Sequence, residues 1–214
     1  MIEILQKNLE AKLPAINAWK RMAVKSKEGD SIEGESLQKY SDWLSRKKLE
    51  KMKTAAVLIG LFEKENEWCF PLIKRPMHEK NHPGQIALPG GAMEKGEDLQ
   101  ETARREAFEE VGILPEKVKI IGKLTPLPVP VSNYLIHPFV GIVNEEPNWK
   151  INSNEVEELI ILKMKTLIEA DNGYYEEWNL RGSQVKVPIF KVMGKTVWGA
   201  TATVLSELLD LIKK

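Results

Sequence analysis

Residues 91–113 read GAMEKGEDLQETARREAFEEVGI, and this stretch decides the fold. Leu99, Ala103, Ala107 and Val111 recur every four residues, which is the spacing of one helix face. They predict a helix over 99–111 with that face turned to a core. Gly112 follows the last periodic residue, where glycine enters left-handed backbone at low cost and ends a helix. The acids do not suit an ordinary surface helix. Glu106, Glu109 and Glu110 stand at i, i+3 and i+4, so like charges crowd the last turns. They also lie at the C-terminal end, where the macrodipole disfavours anions. A divalent cation reverses both effects, because carboxylate oxygens are hard ligands suited to Mg²⁺ or Mn²⁺. Mg²⁺ commonly completes its shell with substrate phosphates, so the helix end reads as a platform for metal-bound phosphate.

On its own, EAFEE reads as a solvated acidic face. Its surroundings favour the metal reading. Gly90 and Gly91 precede the helix, Glu97 stands at its start, and Arg105 is spaced to turn back toward Glu97. That contact ties loop to helix and keeps Arg105 off the acids. The whole stretch resembles the Nudix box, G-x5-E-x7-R-E-U-x-E-E-x-G-U, with U an apolar residue. Gly91, Glu97, Arg105, Glu106, Glu109, Glu110 and Gly112 fall on its fixed positions, with Ala107 and Ile113 at the apolar ones. The resemblance implies an α/β fold, a Nudix-type α/β/α sandwich with a mixed sheet. It also implies hydrolysis of a nucleoside diphosphate linked to another group, metal ligation by Glu106, Glu109 and Glu110, and Arg105 in the catalytic constellation.

Upstream, residues 71–91 read PLIKRPMHEKNHPGQIALPGG. A loop of this composition beside an acidic platform suits anionic substrate groups. Arg75 and Lys80 are the cations placed for phosphates, Arg bidentate and Lys a mobile point charge. Gly84 and Gln85 bring backbone and amide close to a ligand. His78 and His82 read as surface residues, since no further Cys or His gathers there for zinc. The segment resembles the motif L-L-T-x-R-[SA]-x3-R-x3-G-x3-F-P-G-G of coenzyme A pyrophosphatases, matching at Leu72, Arg75, Gly84, Pro89, Gly90 and Gly91. It departs at Pro71, Ile73, Pro76, Lys80 and Leu88. The resemblance implies coenzyme A or a derivative as substrate. The departures keep ADP-ribose, NADH and dinucleoside polyphosphates open, and a non-catalytic nucleotide-binding module stands behind them.

Elsewhere, TAAVLIGLF from Thr54 predicts a strand buried on both faces, and WCFPLIKR a second one, which Pro71 places at an edge or bulge. VKIIGKLTPLPVP and YLIHPFVGIVN read as strands, with a proline-rich turn over 126–132. NSNEVEELIILKM brings a loop and a strand. Glu155 and Val156 match the P-x-E-V wording of the same subgroup, making Glu155 a candidate further metal ligand or general base. Residues 1–50 form a helical extension to a domain over 51–214, with LQKYSDWLSRKK as a second helix and Trp19, Tyr40 and Trp43 as packing residues. A second-subunit surface, and hence a homodimer, is the sharper alternative for this extension.

The 214 residues carry 31 Lys+Arg against 31 Asp+Glu, a balance that argues against nucleic-acid or membrane partners. The N-terminus lacks the apolar block of a signal peptide and no run reaches membrane-span length, giving a cytoplasmic expectation. The single cysteine, Cys69, reads as a buried strand residue.

Overall fold

The apolar run from Thr54 becomes β2 (Lys53–Lys64), and its alternation divides the molecule. Ala56, Leu58 and Phe62 enter one core, while Ile59 and Leu61 enter the other, as period-two side chains on a doubly covered strand must. The computed structural model describes residues 1–26, 49–79, 82–180 and 182–213. The expected second helix, with Tyr40 and Trp43, lies outside the described residues, as does Lys80.

Among the described residues, eight strands form the main sheet. β2 runs parallel to β8 (Tyr134–Val143), from Lys53 opposite Tyr134 to Leu61 opposite Ile142. Its other neighbours are antiparallel, which makes the sheet mixed. β3 (Glu67–Lys74) pairs with β2 and with β9 (Glu158–Lys163). The short strands β4 (Ile86–Ala87) and β5 (Gly90–Ala92) attach to β3 and β2. β6 (Val118–Lys123) and β7 (Leu127–Val129) attach to β8. The proline-rich stretch after 126 is therefore partly strand rather than only a turn. Pro71 is not on an outer strand. β3 has parted from β2 beyond Cys69, and Pro71 pairs opposite Ile161 of β9, so the proline sits where the ladder toward β2 has already ended.

Helix α3 (Leu99–Val111) covers one face, with Ala103, Ala107 and Val111 fully buried. Its start carries a capping box: Asp98 accepts from the N–H groups of Gln100 and Glu101 at 2.7 and 2.9 Å, and Glu101 accepts from the Asp98 N–H at 2.7 Å. Such a box satisfies orphan donors at both ends of the first turn.

The opposite core includes α4 (Met164–Glu169) and the C-terminal helix α5 (Gly199–Ile212). Against α5 lie α1 (Ile2–Leu9) and α2 (Ile16–Trp19), which bury Leu5, Ala18 and Trp19. Polar ties reinforce that contact. Asn8 donates to the Leu211 carbonyl at 2.6 Å, and Arg21 donates to the Ser206 carbonyl at 2.8 Å and to Asp210 at 2.7 Å. Glu207, 1% exposed, accepts from the Ala15 N–H, the Thr125 N–H and the Thr125 hydroxyl. A buried carboxylate is tolerable only when so supplied with donors.

A smaller sheet joins β1 (Lys25–Ser26), β11 (Ser183–Pro188) and β10 (Tyr175–Leu180). β12 (Phe190–Val192) and β13 (Lys195–Val197) make a hairpin leading into α5. Trp198 packs edge-on against Trp178, with centroids 4.9 Å apart. Cys69 is fully buried and burial pushes its thiol up, and no described helix is long and apolar enough to cross a membrane.

Candidate active site

Successive helical residues rotate by about 100°, so Glu106 and Glu110 lie about 40° apart while Glu109 turns to the other side. The structure follows that arithmetic. The carboxylates that converge are Glu106, Glu110 and Glu155, with oxygens all within 4.8 Å of one another. The expected trio of Glu106, Glu109 and Glu110 is not the converging set. Glu109 is 46% exposed along its side chain and accepts from Arg105 Nη1 at 2.8 Å.

Arg105 reaches Glu97, with Nε donating at 2.5 Å and Nη2 at 3.2 Å, and Nη2 also donates to the Ala92 carbonyl at 3.1 Å. It does not stay off the acids, because Nη1 also donates to Glu106 at 2.9 Å. One guanidinium carries five N–H donors in a fixed fork, enough to serve the loop and the helix together. Arg105, the Glu94 N–H and the Thr102 hydroxyl hold the Glu97 carboxyl down at about 2. Glu97 in turn holds the Arg105 guanidinium above its usual range.

Glu110 is 3% exposed and accepts from the Gly90 N–H at 2.9 Å. Burial pushes its carboxyl up to about 8, opposed by the Gly90 N–H and by the charge of Arg75, and reinforced by Glu106 and Glu155. Burial also raises Glu106, against the pull of Arg105. Buried carboxylates this close are each costly to ionise, and a bound cation removes that cost.

The strand beside them is shaped to admit the acids. A Cβ on Gly90 would lie 2.4 Å from the Ala56 carbonyl oxygen, and one on Gly91 would lie 2.5 Å from the Glu106 carboxyl carbon. Gly91 thus leaves the space that the Glu106 carboxylate fills. Gly91→Ala is expected to push Glu106 aside and weaken Mn²⁺ binding on the order of tenfold, at a stability cost of about 1–3 kcal/mol. Calorimetric Mn²⁺ titration beside thermal melting checks both. This donor set, carboxylate oxygens only, suits Mg²⁺ or Mn²⁺.

Glu155 arrives from the loop before β9. Arg75 stands at the end of β3, paired with Glu79. Its Nε is buried without a partner among the described residues. The Arg75 N–H donates to the Gln85 carbonyl at 2.9 Å, and the Gly84 N–H donates to the Arg75 carbonyl at 3.1 Å, so Gly84 and Gln85 close the neck of the 75–85 loop. The Gln85 amide oxygen is engaged with His82 Nδ1 at 3.0 Å, which gives His82 a role its composition did not suggest. Glu157 and Glu158 are held by Lys74 and Lys195, each at 2.5 Å.

A glycine-bordered strand, a helix presenting buried carboxylates and an arginine beside them bring together the oxygen donors that a divalent cation takes. The comparisons with known proteins make the class specific. The model described as NUDIX domain matches residues 51–180. An "Uncharacterized Nudix hydrolase NudL" of Enterobacter sp. (strain 638) is 34% identical over 157 residues, covering 73% of this chain and 81% of that protein. Its counterpart in Pectobacterium atrosepticum is 31% identical over 170 residues, covering 77% and 85%. Among solved structures, the MutT/nudix family protein from Enterococcus faecalis aligns over 92% of this chain and 73% of its own, with a TM-score of 0.52 at 17% identity. The chain belongs to the Nudix family and is a Nudix hydrolase.

Proposed function

We propose that this enzyme hydrolyses the pyrophosphate bond of coenzyme A or a derivative, giving 4′-phosphopantetheine and adenosine 3′,5′-bisphosphate, with Mg²⁺ or Mn²⁺. The observation that carries the chemistry is the convergence of Glu106, Glu110 and Glu155 within 4.8 Å beside Gly90 and Gly91. Glu106 and Glu110 would hold the cation, with Glu155 the third carboxylate beside it. A bound cation supplies charge neutralisation at phosphorus and a more acidic water. Glu155, the exposed member, takes the proton from the attacking water. Arg105 orients Glu106 and Glu109, and the charge of Glu109 adds to the field. Arg75, whose buried Nε–H meets no partner among the described residues, is the cation offered to a substrate phosphate. Gly84 and Gln85 border the phosphate-facing loop, and Lys80, outside the described residues, is proposed as its second cation.

The coenzyme A assignment draws on the resemblance of residues 71–91. The departures at Pro71, Ile73, Pro76, Lys80 and Leu88 favour a second reading with the same chemistry on ADP-ribose or NADH. Mass spectrometry of products from coenzyme A, with and without Mg²⁺ or Mn²⁺, separates the two. Metal-dependent 4′-phosphopantetheine supports the first, and no cleavage of coenzyme A beside cleavage of ADP-ribose or NADH supports the second. Glu155→Gln at saturating metal is expected to lower kcat about 10²–10⁴-fold with substrate KM nearly constant; an unchanged kcat removes Glu155 from proton transfer.

A further inference from the structure

Glu155 is an exposed loop residue, yet its carboxylate must be held against a helix more than forty positions earlier in the chain. We propose that Asn152 is the positioning residue that fixes Glu155 relative to Glu110, an assignment that rests on the metal-site reading above. The last carbonyls of a helix have no intrahelical donors. In α3 the outermost of these are met by a strap over residues 150–152. The Lys150 N–H donates to the Val111 carbonyl at 3.1 Å, and the Asn152 N–H donates to the Glu110 carbonyl at 3.0 Å. Asn152 therefore hangs on the main chain of the buried acid itself.

The same residue then organises the turn that carries Glu155. Its carbonyl accepts from the Glu155 N–H at 3.0 Å and from the Val156 N–H at 2.8 Å. Its side-chain oxygen accepts from the Asn154 N–H at 3.2 Å, an Asx turn that asparagine and aspartate make and alanine cannot. Val156, 2% exposed, plugs into the α3 core, and the Glu157 N–H donates to the Lys74 carbonyl at 2.8 Å. The turn is thus pinned at both ends, and Asn152 links the Glu110 carbonyl to the Glu155 amide through one residue.

Gly112 gives the strap its room. At φ +82° it closes α3, and a Cβ there would lie 2.8 Å from the Lys150 nitrogen and 2.9 Å from the Lys150 Cβ. The glycine that ends the helix is also the one that lets the strap dock.

The test is Mn²⁺ affinity, read from the paramagnetic resonance of free Mn²⁺, with thermal midpoints and kcat/KM measured alongside. Asn152→Pro, which removes the N–H that meets the Glu110 carbonyl, is expected to weaken Mn²⁺ binding roughly tenfold. Asn152→Ala, which removes only the Asx acceptor, is expected to lose less with its midpoint within a few degrees of the parent, and Asn152→Asp, which keeps that acceptor, to stay near the parent. In a Glu155→Gln background Asn152→Pro is expected to add little, because coupled residues are not additive. Parent-like Mn²⁺ affinity in both Asn152→Pro and Asn152→Ala, or fully additive losses in the double variant, would overturn the positioning role alone. A parent protein that binds no Mn²⁺ would overturn the metal-site reading and this assignment with it.

Discussion

Glu110→Gln is expected to lower metal-dependent turnover by about 10³-fold, roughly 4 kcal/mol of barrier, and at the same time to make the metal-free protein more stable at pH 8. The two effects share a cause. Glu110 is 3% exposed with one backbone donor, so the site is built around a charge that the fold alone does not stabilise. Its carboxyl is pushed up to about 8 in the folded protein, against about 4.3 for a glutamate in the unfolded chain. The folded state therefore holds a proton that the unfolded state has released, and stability falls as pH rises from about 4.5 to 8. Glutamine stays neutral and keeps an acceptor for the Gly90 N–H, so this slope disappears in the variant. Thermal melts in chelator between pH 5 and 8 check the sign: the parent loses stability with rising pH and regains it on adding Mn²⁺, while the variant does neither to the same degree. Glu109→Gln is expected to lose far less turnover, about tenfold, because Glu109 is exposed and leans on Arg105. Equal losses at the two positions would restore Glu109 to the centre of the site.

Removal of residues 1–22 is expected to cost the domain its cooperative fold. Leu5 and Trp19 are buried against α5, and full burial of such side chains is worth about 1.5–3 kcal/mol each. Deletion also removes Arg21 from Asp171, the Ser206 carbonyl and Asp210, and takes one donor from the buried Glu207. These losses together approach the roughly 5–15 kcal/mol that hold a typical domain. Circular dichroism and urea titration of the truncated chain check this. A cooperative transition near that of the parent would show that residues 1–22 are an appendage, and would return attention to a role in subunit association.

The parts of the fold that were readable are those where side-chain periodicity dictates structure. The four-residue repeat of Leu99, Ala103, Ala107 and Val111, closed by Gly112, marks a helix, and the structure has it over Leu99–Val111. The unbroken run in TAAVLIGLF marks a strand with two buried faces, and β2 supplies both cores. The Asp98 capping box was equally readable as D-x-x-E, though periodicity alone already located the helix start. Glu109 shows the limit of counting spacings. Positions i+3 and i+4 both neighbour position i, but they lie on opposite sides of it, and only Glu110 shares the Glu106 side with Glu155. Pro71 misled for a related reason, since a proline rule describes a ladder and cannot tell which neighbour has already departed. Asn152 was invisible because most of its work is done by main-chain N–H and C=O groups, which every residue except proline possesses and no composition reveals.

The contact between the first helices and the last has a consequence for how the chain is made. Residues 1–22 find their partners on α5, at residues 199–212. At a synthesis rate of about 5–20 residues per second, the early segment waits roughly ten to forty seconds before its docking surface leaves the ribosome. Throughout that interval Leu5, Ala18 and Trp19 have nowhere native to go, so the nascent chain carries exposed apolar surface. The opposite core, assembled from β2, β3, α3 and β8, can consolidate well before then, and α5 is the helix that completes the other one.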